Sequence, residues 1–188
     1  MQQSFDLYFV SSNKHKYQEA KKILKSFGIC LGFYKLKLEE IQSDSLFEIA
    51  SKKAIQAFEK LKKPVIVEDD GLFIDSLDGF PGPYSSYVFK TIGNKGILSL
   101  LTKNRTAKFV SIIFFSDNTI SKSFEAKIDG KISKTQKGSG WGYDPIFIPA
   151  NSKKTFAELT NKNELSHRYK ALEKFANWYL RKQEYNDQ

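Results

Sequence analysis

The stretch from Val65 to Tyr87, VIVEDDGLFIDSLDGFPGPYSSY, constrains the fold of this 188-residue chain more than any other. A short apolar run, Val65-Ile66-Val67, has the composition of a buried strand and opens directly into three consecutive carboxylates, Glu68-Asp69-Asp70. Gly71, a second apolar run and the turn-rich Gly79-Phe80-Pro81-Gly82-Pro83 follow. Adjacent acids repel one another, and carrying them toward a core is expensive unless a cation or hydrogen bonds compensate. A divalent cation is the commonest compensation, and Mg²⁺ takes one or two carboxylates while phosphate and water complete its shell. The same residues also read as a solvated turn with its acids facing water, and the rest of the chain must separate the two.

The length suits one domain with a proper core, residues 1–188. Hydrophobic residues make up 40%, with 16 Phe and 9 Tyr, which excludes a disordered chain, and no apolar run reaches the roughly 20 residues of a membrane helix. No secretion signal opens the chain, and the single Cys30 permits no internal disulfide, so a soluble cytoplasmic protein without a membrane partner is expected. The formal charge of +9 admits nucleic acid, an anionic surface or a polyanionic small molecule. All but Arg105, Arg168 and Arg181 of the 30 basic residues are lysines scattered along the chain, unlike the arginine-bearing patch of a nucleic-acid reader. A solvated basic surface is therefore expected, with individual lysines serving special roles.

Phe5 to Val10 reads as a strand, and Ser11-Ser12-Asn13 supplies turn and cap residues before a helix with Ala20, Ile23, Leu24 and Phe27 at helical spacing, closed by Gly28. Such a helix start favours an anion, and Asn13 and Lys16 stand in or just before its first turn. A second strand is expected over Ile29–Leu38, ending at Glu39-Glu40, and Ser45-Leu46-Phe47-Glu48 has the pattern of a capping box. In the helix that follows, Leu46, Ile49, Ala50, Ala54, Ala57, Phe58 and Leu61 share one face. Lys53 falls inside that arc, either snorkelling to its edge or aimed inward at a buried anion.

Tyr84–Phe89 and Lys95–Leu101 read as short helices, and Ala107–Phe115 and Thr119–Ile128 as paired strands, with Asp129-Gly130 turning into a third short strand. Parallel βαβ parts followed by a meander give a mixed α/β architecture, a central sheet flanked by helices. Gly138-Ser139-Gly140-Trp141-Gly142 lacks the strand and helix that frame a dinucleotide fingerprint. What remains is a flexible loop whose Trp141 and Tyr143 either stack on a planar base or sit as satellite core residues, with Asp144 fixed before Pro145. A final helix is expected over Lys162–Lys182, capped at Asn161 or Asn163, with Leu165, Tyr169, Leu172, Phe175, Ala176 and Tyr179 in its stripe and Arg168 inside that arc.

Five ordered motifs carry a resemblance. They are Ser11-Ser12-Asn13-Lys14-His15-Lys16-Tyr17-Gln18-Glu19; Val67-Glu68-Asp69-Asp70-Gly71-Leu72 with Pro81-Gly82-Pro83-Tyr84-Ser85; Gly142-Tyr143-Asp144-Pro145-Ile146-Phe147; Thr155-Phe156-Ala157-Glu158-Leu159; and Lys162 through Ser166-His167-Arg168. Together they resemble the inosine/xanthosine triphosphate pyrophosphatase family, whose members hydrolyse non-standard purine nucleoside triphosphates such as ITP, dITP and XTP to the monophosphate and pyrophosphate. The resemblance implies an α/β fold with two lobes around a central nucleotide-binding cleft, one or more Mg²⁺ ions per subunit, a purine nucleoside triphosphate as substrate, and a cytoplasmic homodimer.

By the same resemblance, Ser11, Asn13 and Lys16 bind substrate, the latter two at the triphosphate with Lys53 assisting. Glu40 and Asp69 hold the metal, and Asp69 also activates water. Trp141 and Tyr143 line the base, Asp144 supports that pocket, and Lys162, Ser166, His167 and Arg168 approach base, sugar or phosphates. Asp70 is assigned to substrate, although the family usually has a small polar residue there, and Trp141 stands where Phe is common. Glu39 adjoins Glu40, and the flanking Leu38 and Gln42 favour Glu40. A basic nucleic-acid-binding module and a Maf-like enzyme for pyrimidine or modified nucleotides are the competing classes; the Ser166-His167-Arg168 segment and the Gly142–Pro145 loop argue against both.

Overall fold

The computed structural model describes residues 5–186. Its elements run β1 (Leu7–Ser11), α1 (Lys14–Ser26), β2 (Leu31–Lys35), α2 (Leu46–Leu61), β3 (Val65–Ile74), β4 (Pro81–Gly82), α3 (Ser85–Thr91) and α4 (Gly93–Leu100). The chain continues through β5 (Thr106–Ser116), β6 (Ser121–Ile132), β7 (Phe147–Pro149), α5 (Lys162–Leu165) and α6 (His167–Asn186). The sheet order is β2-β1-β3-β5-β6-β7, with β4 on β3 off that path. β1 lies parallel to both β2 and β3, whereas β3/β4 and β6/β7 are antiparallel, so this is the mixed α/β fold expected.

Two compact units divide the chain. One comprises the chain up to Asp69, Ile112–Ala126 and the chain from Arg168; the other comprises Asp70–Ser111 and Lys127–His167.

In the first unit, Leu7, Phe9 and Ile66 from the strands pack with Ala20, Ile23 and Leu24 of α1 and Leu172, Phe175 and Ala176 of α6. α1 starts where its sequence says it should: the Asn13 side chain accepts from the backbone N–H of His15 and Lys16, satisfying two of the donors a helix start leaves open. α2 buries Leu46, Ile49, Ala50, Lys53, Ala54 and Ala57, so Lys53 does face inward. Its cap is only half the expected box. Ser45 accepts from the Glu48 N–H, but the Glu48 carboxylate accepts from Ser43, and Ser43 also receives the Ser45 N–H. The turn between β5 and β6 is fastened by Asp117, whose Oδ1 accepts from the N–H of Thr119 and Ile120 while Lys182 of α6 bonds Oδ2. Burial acts to raise the Asp117 pKa, but it is outweighed by Lys182 and the donors of Thr119 and Ile120, which hold the carboxyl at about 2.

In the second unit, Leu72, Ile74, Val88, Ile97, Phe109, Phe147 and Phe156 make the core. Gly71 is there for space: a Cβ would lie 2.5 Å from the Gly82 carbonyl oxygen of paired β4. Thr155 and Glu158 form a complete capping box around the short turn Phe156–Glu158.

Beyond the half-formed cap of α2, the structure departs from the sequence reading at three places. The acids do not end a strand, because β3 runs unbroken from Val65 to Ile74 and carries them in its middle. Asp129-Gly130 does not turn the chain: β6 passes through to Ile132, and the third meander strand is β7, which pairs with Gly130–Ile132. The final helix is interrupted at Ser166, whose φ of −74° and ψ of 158° are extended, the backbone a serine adopts readily at a helix boundary. Among the described residues, no helix is long and apolar enough to cross a membrane.

Candidate active site

The pleat of the strand that carries the three acids turns Asp69 to the opposite face from Glu68 and Asp70. Consecutive side chains on a strand point to opposite faces, so Glu68 and Asp69 meet different partners. Glu68 accepts two bonds of 2.8 Å from Arg168 Nε, and Arg168 Nη1 also pairs with Glu19. The Glu68 side chain has no solvent exposure and that of Arg168 is 2% exposed, so each charge is stabilised by the other rather than by water. Asp69 takes Lys53, whose Nζ donates to Asp69 Oδ2 and to Glu40 Oε1, each at 2.6 Å. The Glu40 side chain is 69% exposed while Asp69 and Lys53 are nearly buried. Glu39 lies differently: Gln56 bonds its backbone N–H and carbonyl.

The first unit thus places Glu40, Lys53 and Asp69 together, with Glu19, Glu68 and Arg168 as a second charged group. Ser11 ends β1 and its Oγ accepts from the Asn13 N–H, which shapes the loop into α1; Lys16 lies half-buried in the first turn beyond it.

The second unit organises the aromatic loop. Lys162 Nζ bonds Asp144 Oδ2 at 2.6 Å and stands 5.8 Å from the centre of the Trp141 ring, joining a carboxylate, an ammonium and an indole. Tyr143 is buried in the core: its hydroxyl donates to the Ser85 carbonyl at 2.9 Å, its ring meets Phe89 edge-on, and burial pushes its phenol above the ordinary range. Trp141 keeps intermediate exposure, so the two aromatics read alike in the sequence have different surroundings. Ser166 and His167 are both buried. The His167 imidazole stacks on Phe109 with centroids 4.5 Å apart, Nδ1 has no partner, and Nε2 lies 3.8 Å from Asp70 Oδ2, too far for a direct hydrogen bond.

Two contributors were not singled out in the sequence. Glu19 closes the first motif, but only the fold brings it to Arg168. Asn94 donates from Nδ2 to the Gly142 carbonyl at 3.0 Å, a bond no local pattern announces.

Among the described residues, no group of three or more His, Cys, Asp or Glu side chains is placed to hold a metal by itself. Glu40 and Asp69 nevertheless fit Mg²⁺: both are hard oxygen donors, and both already converge on one cationic nitrogen. Two carboxylates are what Mg²⁺ usually takes from a protein that also binds phosphates.

Comparison with known proteins places these residues in a family. The Ham1 family model matches residues 7–178. The chain is 51% identical over 177 residues to a dITP/XTP pyrophosphatase of Methanopyrus kandleri, covering 91% of this chain and 94% of that one. It is 46% identical to the dITP/XTP pyrophosphatase of Thermococcus kodakarensis, covering 92% and 96%. The solved structure of a HAM1 protein from Coxiella burnetii superposes with a TM-score of 0.84 at 26% identity, over 95% of this chain and 100% of that one. A match that runs through both units and every motif leaves one assignment: this chain belongs to the Ham1 family.

Proposed function

We propose that this chain is a nucleoside triphosphate pyrophosphatase, one catalytic domain that cleaves ITP, dITP and XTP between the α and β phosphates to give the monophosphate and pyrophosphate, so removing damaged nucleotides from the precursor pool. The observation that carries the reading is the convergence of Glu40 and Asp69 on Lys53, in a chain 51% identical to a dITP/XTP pyrophosphatase.

Asp69 accepts a proton from the attacking water and orients it in line with the leaving pyrophosphate. Lys53 holds the Asp69 carboxylate in place and adds positive charge where the transferring phosphoryl group becomes more negative. Asn13, by capping α1, fixes the turn from which Lys16 meets the triphosphate, and Ser11 shapes that turn. Glu40 and Asp69 would hold Mg²⁺, which when bound neutralises phosphate charge and assists the leaving group. Arg168 keeps Glu68 neutralised, so that its carboxylate does not compete with Asp69 for cations.

Base recognition falls to Trp141 as a stacking ring, with Asp144 and Lys162 bracing it and Tyr143 anchoring the loop from the core. A 6-oxopurine offers an acceptor where adenine offers a donor. Donors from Ser166, His167 and the loop N–H groups would be left unpaired by ATP, at about 1–3 kcal/mol per buried group. Asp70, facing His167, belongs to this substrate side.

A cytoplasmic homodimer completes the reading. The exposed Tyr84, Tyr87, Phe89 and Ile92 of the second unit support self-association, which sedimentation at twice the 21.6 kDa chain mass would register. Cell fractionation tests the location.

The deciding experiment is pyrophosphate release from ITP, XTP, dITP, GTP, ATP and dTTP with and without Mg²⁺. Metal-dependent release from ITP, XTP and dITP well above the others is expected. Equal rates across the panel, or none, would refute the function.

A further inference from the structure

We infer that Ala157 is a positioning residue for base recognition: its methyl group and backbone form the ledge on which Gly138 and Gly140 rest, and that contact sets the Asp144 carboxylate that holds Lys162. The inference deepens the function proposed above and rests on reading the 138–145 loop as the base-binding loop.

The motif at 155–159 contributes no side chain to the proposed chemistry, yet its turn is rigidly built. Thr155 has no solvent exposure; the Glu158 carboxylate accepts its backbone N–H at 2.8 Å and lies 3.0 Å from its hydroxyl. Phe156, 1% exposed, anchors the turn in the core of the second unit against Phe147. Both ends of the loop are tied to this turn. At one end the Thr155 hydroxyl lies 3.1 Å from the Lys137 carbonyl oxygen, and the Lys137 N–H donates to the Pro145 carbonyl at 2.9 Å. At the other, the Ala157 N–H donates to the Asp144 carbonyl at 3.2 Å.

Two glycines of the loop are pressed on Ala157. A Cβ at Gly138 would lie 2.8 Å from the Ala157 carbonyl carbon and oxygen, and its φ of +72° is left-handed, so glycine is required there twice over. A Cβ at Gly140 would lie 3.2 Å from the Ala157 methyl carbon and 3.1 Å from Asp144 Cβ, with Asp144 Oδ2 3.5 Å away. That same Oδ2 accepts from Lys162 Nζ at 2.6 Å. Ala157 and Asp144 thus close the space beside Gly140 together. Enlarging position 140 or position 157 pushes these groups apart, and a close-packed contact passes the shift on rather than absorbing it. The Asp144–Lys162 pair braces the base pocket, so displacing it acts on substrate affinity rather than on the chemical step.

The test uses Gly140→Ala, Ala157→Val and the double variant Gly140→Ala/Ala157→Gly in the full chain. Gly140 is outside the left-handed region, so alanine is opposed there by contact alone. Each single variant is expected to raise KM for ITP about tenfold, the equivalent of one hydrogen bond, with kcat within about twofold. The double variant returns the space that the added methyl takes. Its KM is expected to fall back to within about threefold of wild type, although Ala157→Gly loosens the turn backbone. A residue serving stability alone would give no such recovery. A second readout needs no substrate: Lys162, tethered to Asp144 with its side chain 13% exposed, is acetylated with an N-hydroxysuccinimide ester and its labelling rate followed by peptide mass spectrometry. That rate is expected to rise severalfold in both single variants and to return in the double. Unchanged KM or unchanged labelling in both single variants, kcat falling together with kcat/KM, or no recovery in the double variant would overturn the inference. If the wild-type chain releases no pyrophosphate, the proposed function fails, and the labelling still decides whether Ala157 sets the Asp144–Lys162 pair.

Discussion

The two units fix their functional side chains by different means. In the first, charge is placed by strand periodicity: neighbouring residues of β3 point to opposite faces, so Glu68 meets Arg168 and Asp69 meets Lys53. In the second, the loop that carries Trp141 is tied by a hydrogen bond from Asn94 of α4 to the Gly142 carbonyl and by the ion pair of Lys162 of α5 with Asp144. The contrast teaches that a strand can send neighbouring like charges to different partners with little more than its pleat, whereas a glycine-rich loop is tied by elements distant in the sequence.

The sharpest way to break that contrast is at the acids. Asp69→Asn keeps an oxygen for Lys53 and is expected to fold normally while turnover falls about 10²–10⁴-fold, the range for loss of a general base. An Mg²⁺-dependent rate near wild type would remove Asp69 from the chemistry. Arg168→Met strands Glu68 in a site with no solvent exposure, and urea titration is expected to register a loss of about 3–5 kcal/mol. Adding Glu68→Gln should recover part of it; no recovery would mean that the cost lies in packing rather than charge.

In the second unit, Lys162→Met removes both the partner of Asp144 and the cation beside Trp141. Steady-state kinetics are expected to give a KM for ITP raised about tenfold, with a smaller change in kcat. Equal falls in kcat and kcat/KM would instead place Lys162 at the transition state.

The smallest effect lies away from both sites. Asp117 has a folded-state pKa of about 2, below the unfolded value of about 4, so its contribution is fully present above pH 4 and is lost as pH falls through 2. Asp117→Asn is expected to cost about 1–2 kcal/mol at neutral pH. That gap in urea midpoint should close between pH 4 and pH 2, and a constant gap would show that the charge of Asp117 contributes nothing.

Legibility followed the range of the interactions. The cap of α1 at Asn13 and the inward aim of Lys53 depend on neighbours within one or two turns, and both are present. The capping box at Ser45 came out half formed because Ser43, two residues earlier, competes for Glu48. The end of β6 was misplaced because Asp129-Gly130 carries a turn signature, yet pairing with β7 keeps it extended. The helix expected over Lys162–Lys182 broke at Ser166, whose neighbours fit a helical stripe on either side.

By itself the sequence determined the α/β class, the family motifs and the charged and aromatic residues available for chemistry, because these are carried by local periodicity and residue type. Only the tertiary structure decided which carboxylate meets which base. Glu19 and Arg168 lie 149 residues apart, Glu68 and Arg168 lie 100 apart, and Asn94 and Gly142 lie 48 apart. The three acids that opened the problem look alike in sequence. They differ in the molecule because the pleat turns Asp69 away from Glu68 and Asp70, and because helices bring a different neighbour to each.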